Sequence, residues 1–123
     1  TTTPFYTGNC LTTDQANFNG EVPYDNCKEG EIRNKALPVG SFEPNEFGLY
    51  DMLGNIGQLC SDWYGEYNLN ETLNPKGPET GGRKVLRGGG FLEPANDCRS
   101  ARRTGVPQVN RGTGIGFRIV KSN

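Results

Sequence analysis

The strongest apolar stretch of the chain runs from Leu49 to Trp63, and its pattern is compatible with two kinds of secondary structure. Its hydrophobic residues can be placed on one face of a helix. However, Gly54, Asn55 and Gly57 interrupt the run. Because glycine is unfavourable inside a helix and a Gly-Asn pair marks a turn, we predict a turn followed by a buried strand.

Farther along the chain, three short runs of apolar and β-favouring residues predict consecutive strands. They occupy residues 85–91, 98–103 and 116–120. Stretches rich in Gly, Pro and Asn separate them, which indicates long irregular loops. Residues 1–37 and 64–83 are also polar and rich in turn-forming residues, and we expect ordered loops there. Binding residues are often carried on loops of this kind.

Composition favours a loop-rich β protein over a helical bundle. Hydrophobic residues make up 33% of the 123 residues, and the chain has 18 Gly and 8 Pro. A chain of this length forms one domain at most. Thirteen basic and fourteen acidic residues leave a net charge of -1, so no overall positive field attracts nucleic acid. No apolar run approaches the roughly 18 residues of a membrane span.

The four cysteines permit three complete pairings, and the sequence alone does not choose among them. We favour a disulfide between Cys10 and Cys27, since both lie in turn-rich segments and closing a loop of this length contributes about 3 kcal/mol. The alternative is that all thiols are free, with two of them buried. No CxxC motif is present, which makes a zinc cluster improbable.

Four sequence blocks resemble parts of one known family. They are Asn-Glu-Phe-Gly-Leu-Tyr-Asp-Met-Leu-Gly-Asn at 45–55, Val-Leu-Arg-Gly-Gly-Gly-Phe at 85–91, Cys-Arg-Ser-Ala-Arg-Arg at 98–103 and Gly-Phe-Arg-Ile-Val at 116–120. Together they resemble the second half of a formylglycine-generating enzyme domain, also called the sulfatase-modifying-factor domain. The resemblance extends from about Thr12 to Val120 and places a strand after Asn55. It implies an α+β, loop-rich, C-type-lectin-like fold of mostly short antiparallel strands.

The resemblance covers only part of the family domain. We assign residues 1–123 to the second half of one such domain, with 1–37 as an irregular loop segment and 38–123 as the strand and loop core. The family's first half supplies most of its helices, and this sequence contains nothing similar. In the family, the closing strand, residues 117–120 here, pairs with an opening strand from that first half. We therefore expect the missing front half, or another chain, to complete the sheet.

The family's redox chemistry depends on residues that this chain lacks. The resemblance implies a pair of cysteines between the glycine block and the Cys-Arg block, where a thiolate binds copper. Residues 90–97 contain no cysteine, and the chain has no histidine to supply the iron ligands of the related sulfoxide synthases. We therefore expect neither copper nor iron. Glu93 and Asp97 could form a pair of acid/base carboxylates, although acidic loop residues are more often simply solvated.

Calcium is the cofactor that the resemblance favours. One family site takes side-chain oxygens from the positions of Asp51 and Gln58, and backbone carbonyls from those of Gly54 and Ile56. Gln58 replaces a Glu that is common in the family, which removes one negative charge. A second family site implies the Asn17 side chain and the Phe18 carbonyl, with further ligands within residues 25–32. The alternative for the first site is that Asp51 caps a turn and Gln58 is an ordinary polar strand residue.

Function is expected to reside in a binding surface. The closing segment is similar to that of the variable proteins of diversity-generating retroelements, which belong to this branch of the fold. We predict a non-catalytic module, extracellular or on the cell surface, that binds a protein or carbohydrate ligand. The alternatives are an enzyme of this superfamily with its catalytic groups elsewhere, and a structural component of a surface or secretion assembly. The candidate ligand-binding residues are Phe91, Leu92, Glu93, Asn96, Asp97, Arg102, Thr104, Val106, Gln108, Val109, Gly112 and Thr113.

Overall fold

The computed structural model describes residues 2–70 and 73–121 and contains a four-stranded sheet. The strands are β1 (Gly57–Trp63), β2 (Arg83–Arg87), β3 (Thr104–Pro107) and β4 (Ile115–Gly116), in the order β3-β2-β1-β4. β2 is antiparallel to β1 and β3, whereas β4 runs parallel to β1. Helix in the described chain is limited to one 3-10 turn, Ala95–Cys98. The chain is loop-rich, as expected, but sheet-dominated, so the α+β description fits only roughly.

No helix in the described residues is long and apolar enough to traverse a membrane.

The stretch from Leu49 to Trp63 forms a turn followed by a strand, which confirms the interpretation based on its glycines, but the strand is only partly buried, with Gly57 as its one buried residue. Gly54 and Asn55 have φ values of +74° and +63°, in the left-handed region that a right-handed helix cannot accommodate. A Cβ atom on Gly54 would lie 2.5 Å from the carbonyl oxygen of Asn17. Only glycine fits at that position. β1 then continues between β2 and β4.

The strand predicted over residues 85–91 is present as β2, but it ends at Arg87. Gly88 and Gly89 follow with φ values of +92° and +68°, and they turn the chain away from the sheet. A Cβ on Gly89 would lie 2.6 Å from the sulfur of Cys98. The glycine block therefore allows the loop after β2 to approach Cys98 closely.

The strand predicted over residues 98–103 is wrong. Cys98 ends the 3-10 turn and is fully buried. The chain then turns again, since the amide of Arg102 donates to the carbonyl of Arg99 at 2.9 Å. β3 begins only at Thr104. Burial of Cys98 in the core outweighed the local preference for an extended chain.

The strand predicted over residues 116–120 is shorter than expected. β4 pairs with β1 through Gly57–Ile115 and Gln58–Gly116, and it ends at Gly116. Beyond it, Phe117 is 75% exposed, and Ile119 and Val120 are more exposed still.

The hydrophobic core lies mainly under the irregular first part of the chain. Residues 2–37 contain turns and three isolated bridge residues but neither helix nor strand. The ring of Phe5 meets that of Tyr24 edge to face, with centroids 5.4 Å apart. Burial of apolar side chains offsets the entropy lost by fixing this irregular backbone. The buried cluster consists of Phe5, Leu11, Ala16, Phe18, Leu53, Ala95 and Cys98.

A disulfide joins Cys10 to Cys27, which confirms the favoured pairing. The two Cα atoms are 5.7 Å apart, within the usual range for a disulfide. Cys60 and Cys98 are free. The alternative in which all four thiols are free is therefore excluded.

Asn55 links the irregular segment to the sheet. Its side-chain oxygen accepts from the Leu37 amide at 2.8 Å and from the Asn17 side chain at 3.0 Å. Its side-chain nitrogen donates to the Leu37 carbonyl at 3.1 Å. Its backbone donates to the Asn17 carbonyl at 2.7 Å and accepts from the Phe91 amide at 3.0 Å. Three distant parts of the chain therefore meet at one buried residue.

Candidate functional site

A cavity of about 540 Å³ lies beside β2 and β3. One wall is formed by the two strands, a second by the loop that follows the glycine block, and a third by the turn before β4. Its lining residues are Gly57, Leu86, Arg87, Gly89, Leu92, Glu93, Asp97, Arg102, Thr104, Val106, Asn110, Gly112, Thr113, Gly114 and Ile115.

Most of the candidate ligand-binding residues meet in this cavity. They come from three separate stretches of the chain, which the fold brings to one side of the sheet. Thr104 and Val106 alternate along β3 and therefore share a face. The candidates that line the cavity are Leu92, Glu93, Asp97, Arg102, Thr104, Val106, Gly112 and Thr113.

Four of the candidates lie elsewhere. Phe91 is only 7% exposed, so its side chain is not available as a surface anchor, and this candidate requires correction. Its amide donates to the Asn55 carbonyl at 3.0 Å. Asn96 faces solvent and accepts hydrogen bonds from Arg99. Gln108 and Val109 are exposed just after β3, outside the cavity lining.

The loop wall is held from behind by the core. The 3-10 turn buries Ala95 and Cys98. The Glu93 carbonyl accepts from Asn19 at 2.9 Å, and the Ala95 amide donates to Val22 at 3.2 Å. With its backbone fixed on the inner side, the loop presents Leu92 outward at 54% exposure.

The cavity combines an apolar floor with charges that are largely balanced. Arg102 forms an ion pair with Asp97 at 2.9 Å, and both side chains are partly exposed, so the pair contributes little to stability. Arg87 donates to the carbonyls of Ser100 and Arg102, both at 3.4 Å. Arg87 thus ties β2 to the turn before β3. The cavity can therefore accept a ligand with both apolar and polar groups.

Neither free thiol is prepared for redox or nucleophilic chemistry. Burial raises the pKa of Cys98 to about 12, and the carboxylates of Glu93 and Asp97 act in the same direction. Burial also raises the pKa of Cys60. The positive charge of Arg87 partly opposes this increase, and the negative charge of Asp62 adds to it. Because the thiolate is the nucleophile and the copper ligand, both thiols are weakly reactive at neutral pH.

The side chain of Asn17 is suited to bind a cation that prefers oxygen ligands. The residue is fully buried, and its side-chain nitrogen donates to the Lys35 carbonyl at 2.8 Å and to Asn55 at 3.0 Å. Its side-chain oxygen has no hydrogen-bond partner among the described residues. A buried amide oxygen of this kind is a suitable ligand for a hard cation such as calcium. The neighbouring Phe18 is buried in the core.

The arrangement at Asp51 to Gln58 differs from a calcium site. The Asp51 carboxylate accepts from the Gly40 amide at 2.7 Å, and the Gly54 carbonyl accepts from the Ile56 amide at 2.9 Å. The Gln58 side-chain oxygen accepts from Arg118. The described residues contain no group of three or more His, Cys, Asp or Glu that could share a metal. Three of the four predicted ligand groups of this turn are therefore engaged in hydrogen bonds within the protein.

Several cavity residues were missed by sequence reasoning. Leu86 pairs with Thr104 across β2 and β3 and so shares its face, a relation that follows from strand register rather than from local pattern. Asn110 and Gly114 lie in the segment before β4 and Ile115 begins that strand, and no local pattern assigned them to a wall of the cavity. Arg118 ties the chain beyond β4 to the Asp51 turn.

The fold is shared with solved proteins of the C-type-lectin-like class. Variable protein 1 of Treponema denticola superposes with a TM-score of 0.71 at 26% identity, over 85% of this chain and 34% of that one. PvdO from Pseudomonas aeruginosa superposes with a TM-score of 0.66 at 32% identity, over 85% and 38%. The likeness to a variable protein agrees with the resemblance noted in the sequence.

Sequence comparison identifies the family. The formylglycine-generating enzyme of Bos taurus is 36% identical over 105 residues, which cover 82% of this chain and 28% of the bovine enzyme. The model of the sulfatase-modifying factor enzyme 1-like domain matches residues 4–123, and the chain belongs to that family. The chain spans about a third of the length of these relatives.

Proposed function

We propose that the chain is a non-catalytic binding module whose ligand occupies the cavity beside β2 and β3. The observation that supports this proposal most is the convergence of candidate residues from three stretches of sequence on one cavity. The two free thiols do not line that cavity, and the chain has no histidine. The similarity to a variable protein is consistent with binding as the function.

The cavity chemistry favours a protein or carbohydrate ligand. Leu92 is exposed at its rim and offers an apolar anchor, while Leu86 and Ile115 add apolar surface. Thr104 and Thr113 supply hydroxyl groups that donate and accept hydrogen bonds. Because the charged groups at the rim balance, we do not propose nucleic acid as a ligand.

A glycan array and a phage-displayed peptide library test this proposal on the intact protein. Val106→Arg places a long charged side chain in the cavity, and we expect it to abolish binding of any selected glycan or peptide. Val109→Arg makes the same change at an exposed position outside the lining and should retain binding. Equal behaviour of the two variants, or no binder in either collection, would contradict the proposal.

The second candidate is an enzyme, favoured by the identity to formylglycine-generating enzymes. Its catalytic groups would come from residues outside this chain. Stoichiometric copper or iron in the purified intact protein, together with conversion of a cysteinyl peptide to an aldehyde, would establish it. Their absence, combined with binding that depends on Val106, would favour the binding module.

We propose that a further polypeptide segment covers the sheet edge beyond β4. Phe117, Ile119 and Val120 are exposed there, although large apolar side chains in a row are normally covered. The segment belongs either to the rest of the family domain or to another chain. Hydrogen exchange of residues 117–120 in the intact protein tests this, because unprotected amides would show that nothing pairs with the edge.

We also propose that calcium binds at Asn17, with the Phe18 carbonyl as a second ligand. The orphaned buried side-chain oxygen of Asn17 supports this assignment. Bound calcium would be the partner that this oxygen does not find among the described residues. Removal of calcium with a chelator should lower the melting temperature of the intact protein, and an unchanged melting temperature would contradict the site.

A further inference from the structure

We propose that the guanidinium group of Arg118 takes the place of the calcium ion that the family resemblance implies at the Asp51–Gln58 turn. This turn would then bind no metal ion. The proposal concerns a different position from Asn17 and does not depend on what occupies the cavity.

The contacts of Arg118 are those expected of a cation bound by oxygen atoms. Its guanidinium donates to the carbonyls of Tyr50 and Asp51, the latter at 3.1 Å, and to the side-chain oxygen of Gln58. Three oxygens of the turn therefore converge on one positive group. Charge-assisted hydrogen bonds of this kind are roughly twice as strong as neutral ones.

Gln58 is suited to this arrangement, whereas a glutamate would not be. Its side-chain nitrogen donates to the Asp51 carbonyl at 2.9 Å, while its side-chain oxygen accepts from Arg118. An ionised carboxylate accepts only and could not make the first of these bonds. The amide thus gives Arg118 the side-chain oxygen that the resemblance assigns to calcium, while its nitrogen bonds the Asp51 carbonyl.

Two further predicted ligands are also engaged. The Asp51 carboxylate accepts from Gly40, and the Gly54 carbonyl accepts from Ile56. A calcium ion entering this turn would lie within a few ångströms of the Arg118 guanidinium, and like charges at such distances repel strongly. Metal binding and the observed position of Arg118 are therefore mutually exclusive.

The consequence for the fold is a direct connection between two distant parts of the chain. Arg118 follows β4, and the turn precedes β1, the strand to which β4 is paired. Its side chain also lines a cavity of about 300 Å³ together with Tyr50, Asp51 and Gln58. The arginine thereby fixes the start of the chain beyond β4 without any requirement for a metal.

Counting bound calcium tests the proposal directly. Equilibrium dialysis of the intact protein against calcium, followed by elemental mass spectrometry, gives the number of ions per chain. We expect Gln58→Ala and the unchanged protein to bind the same number. Loss of one ion in Gln58→Ala would overturn the proposal, because it would place a metal at this turn.

A stability measurement tests the role of Arg118 itself. Arg118→Met retains most of the side-chain volume but removes the charge, and it should lower the melting temperature by a few degrees whether or not calcium is present. Arg111→Met is the matched control, since Arg111 is exposed and its side chain makes no hydrogen bond within the described residues. Equal melting temperatures for the two variants would overturn the proposal. If Arg118→Met does not fold, Arg118→Lys provides the comparison, with a smaller decrease expected because the charge is kept.

Discussion

Replacement of Asn55 by alanine tests whether this residue holds the irregular segment against the sheet. The substitution removes three side-chain hydrogen bonds and leaves the Leu37 amide and carbonyl without their partners. Leu37 is partly buried, so each unpaired group costs about 1 kcal/mol, near the lower end for such groups. Alanine at φ +63° adds about 1 kcal/mol of backbone strain. We expect Asn55→Ala to lower the free energy of unfolding by about 3 kcal/mol, a large part of the roughly 5–15 kcal/mol of a typical domain.

Asn55→Gly separates the two contributions. It loses the same side-chain hydrogen bonds, but glycine adopts a positive φ without strain. We therefore expect it to be more stable than Asn55→Ala by about 1 kcal/mol, the reverse of the usual order in a helix or strand interior.

Urea unfolding followed by fluorescence gives both free energies. The reasoning is refuted if Asn55→Ala lies within 1 kcal/mol of the unchanged protein. It is also refuted if the alanine variant is more stable than the glycine variant, because the positive φ would then carry no cost.

Two further predictions concern the cysteines. Replacing both Cys10 and Cys27 by alanine should lower the free energy of unfolding by about 3 kcal/mol, measured by urea titration, and an unchanged midpoint would contradict the stabilising role of this disulfide. Iodoacetamide at pH 8 should modify Cys98 only after unfolding, whereas half-buried Cys60 should react in the folded state, as peptide mass spectrometry will show. Folding raises the pKa of Cys98 from 9.0 to about 12, because the buried site favours the neutral thiol. The stability contributed by this neutral thiol is complete below pH 9 and is lost as the pH rises toward 12. Rapid labelling of native Cys98 at pH 8 would disprove this burial.

The parts of the fold that depend on local chemistry were predictable from the sequence. Gly54 and Asn55 require positive φ, so the turn before β1 followed from residue type alone. The assignment of residues 98–103 failed for a different reason. Cys98 is placed by contacts with residues distant in sequence, such as Phe5 and Leu11 of the core, and no local pattern encodes that burial.

The candidate site was predictable to a similar extent. Thr104 and Val106 were found through the similarity of the closing segment to that of the variable proteins, and their alternation along β3 places them on one face. Leu86 was missed because its place in the wall depends on the register between β2 and β3. Phe91 was expected at the surface but is buried, and its backbone meets Asn55, a residue distant in sequence, so no local pattern encodes its position.

The support of the loop that carries Leu92 and Asp97 has a consequence for how this surface can diversify. Every bond that fixes this loop from behind uses backbone atoms or small buried side chains, including the bonds to Asn19 and Val22. The outward side chains, apart from exposed contacts such as the Asp97–Arg102 ion pair, therefore contribute little to folding. New specificities can be selected at such positions, in nature or in a laboratory library, with little loss of solubility or yield.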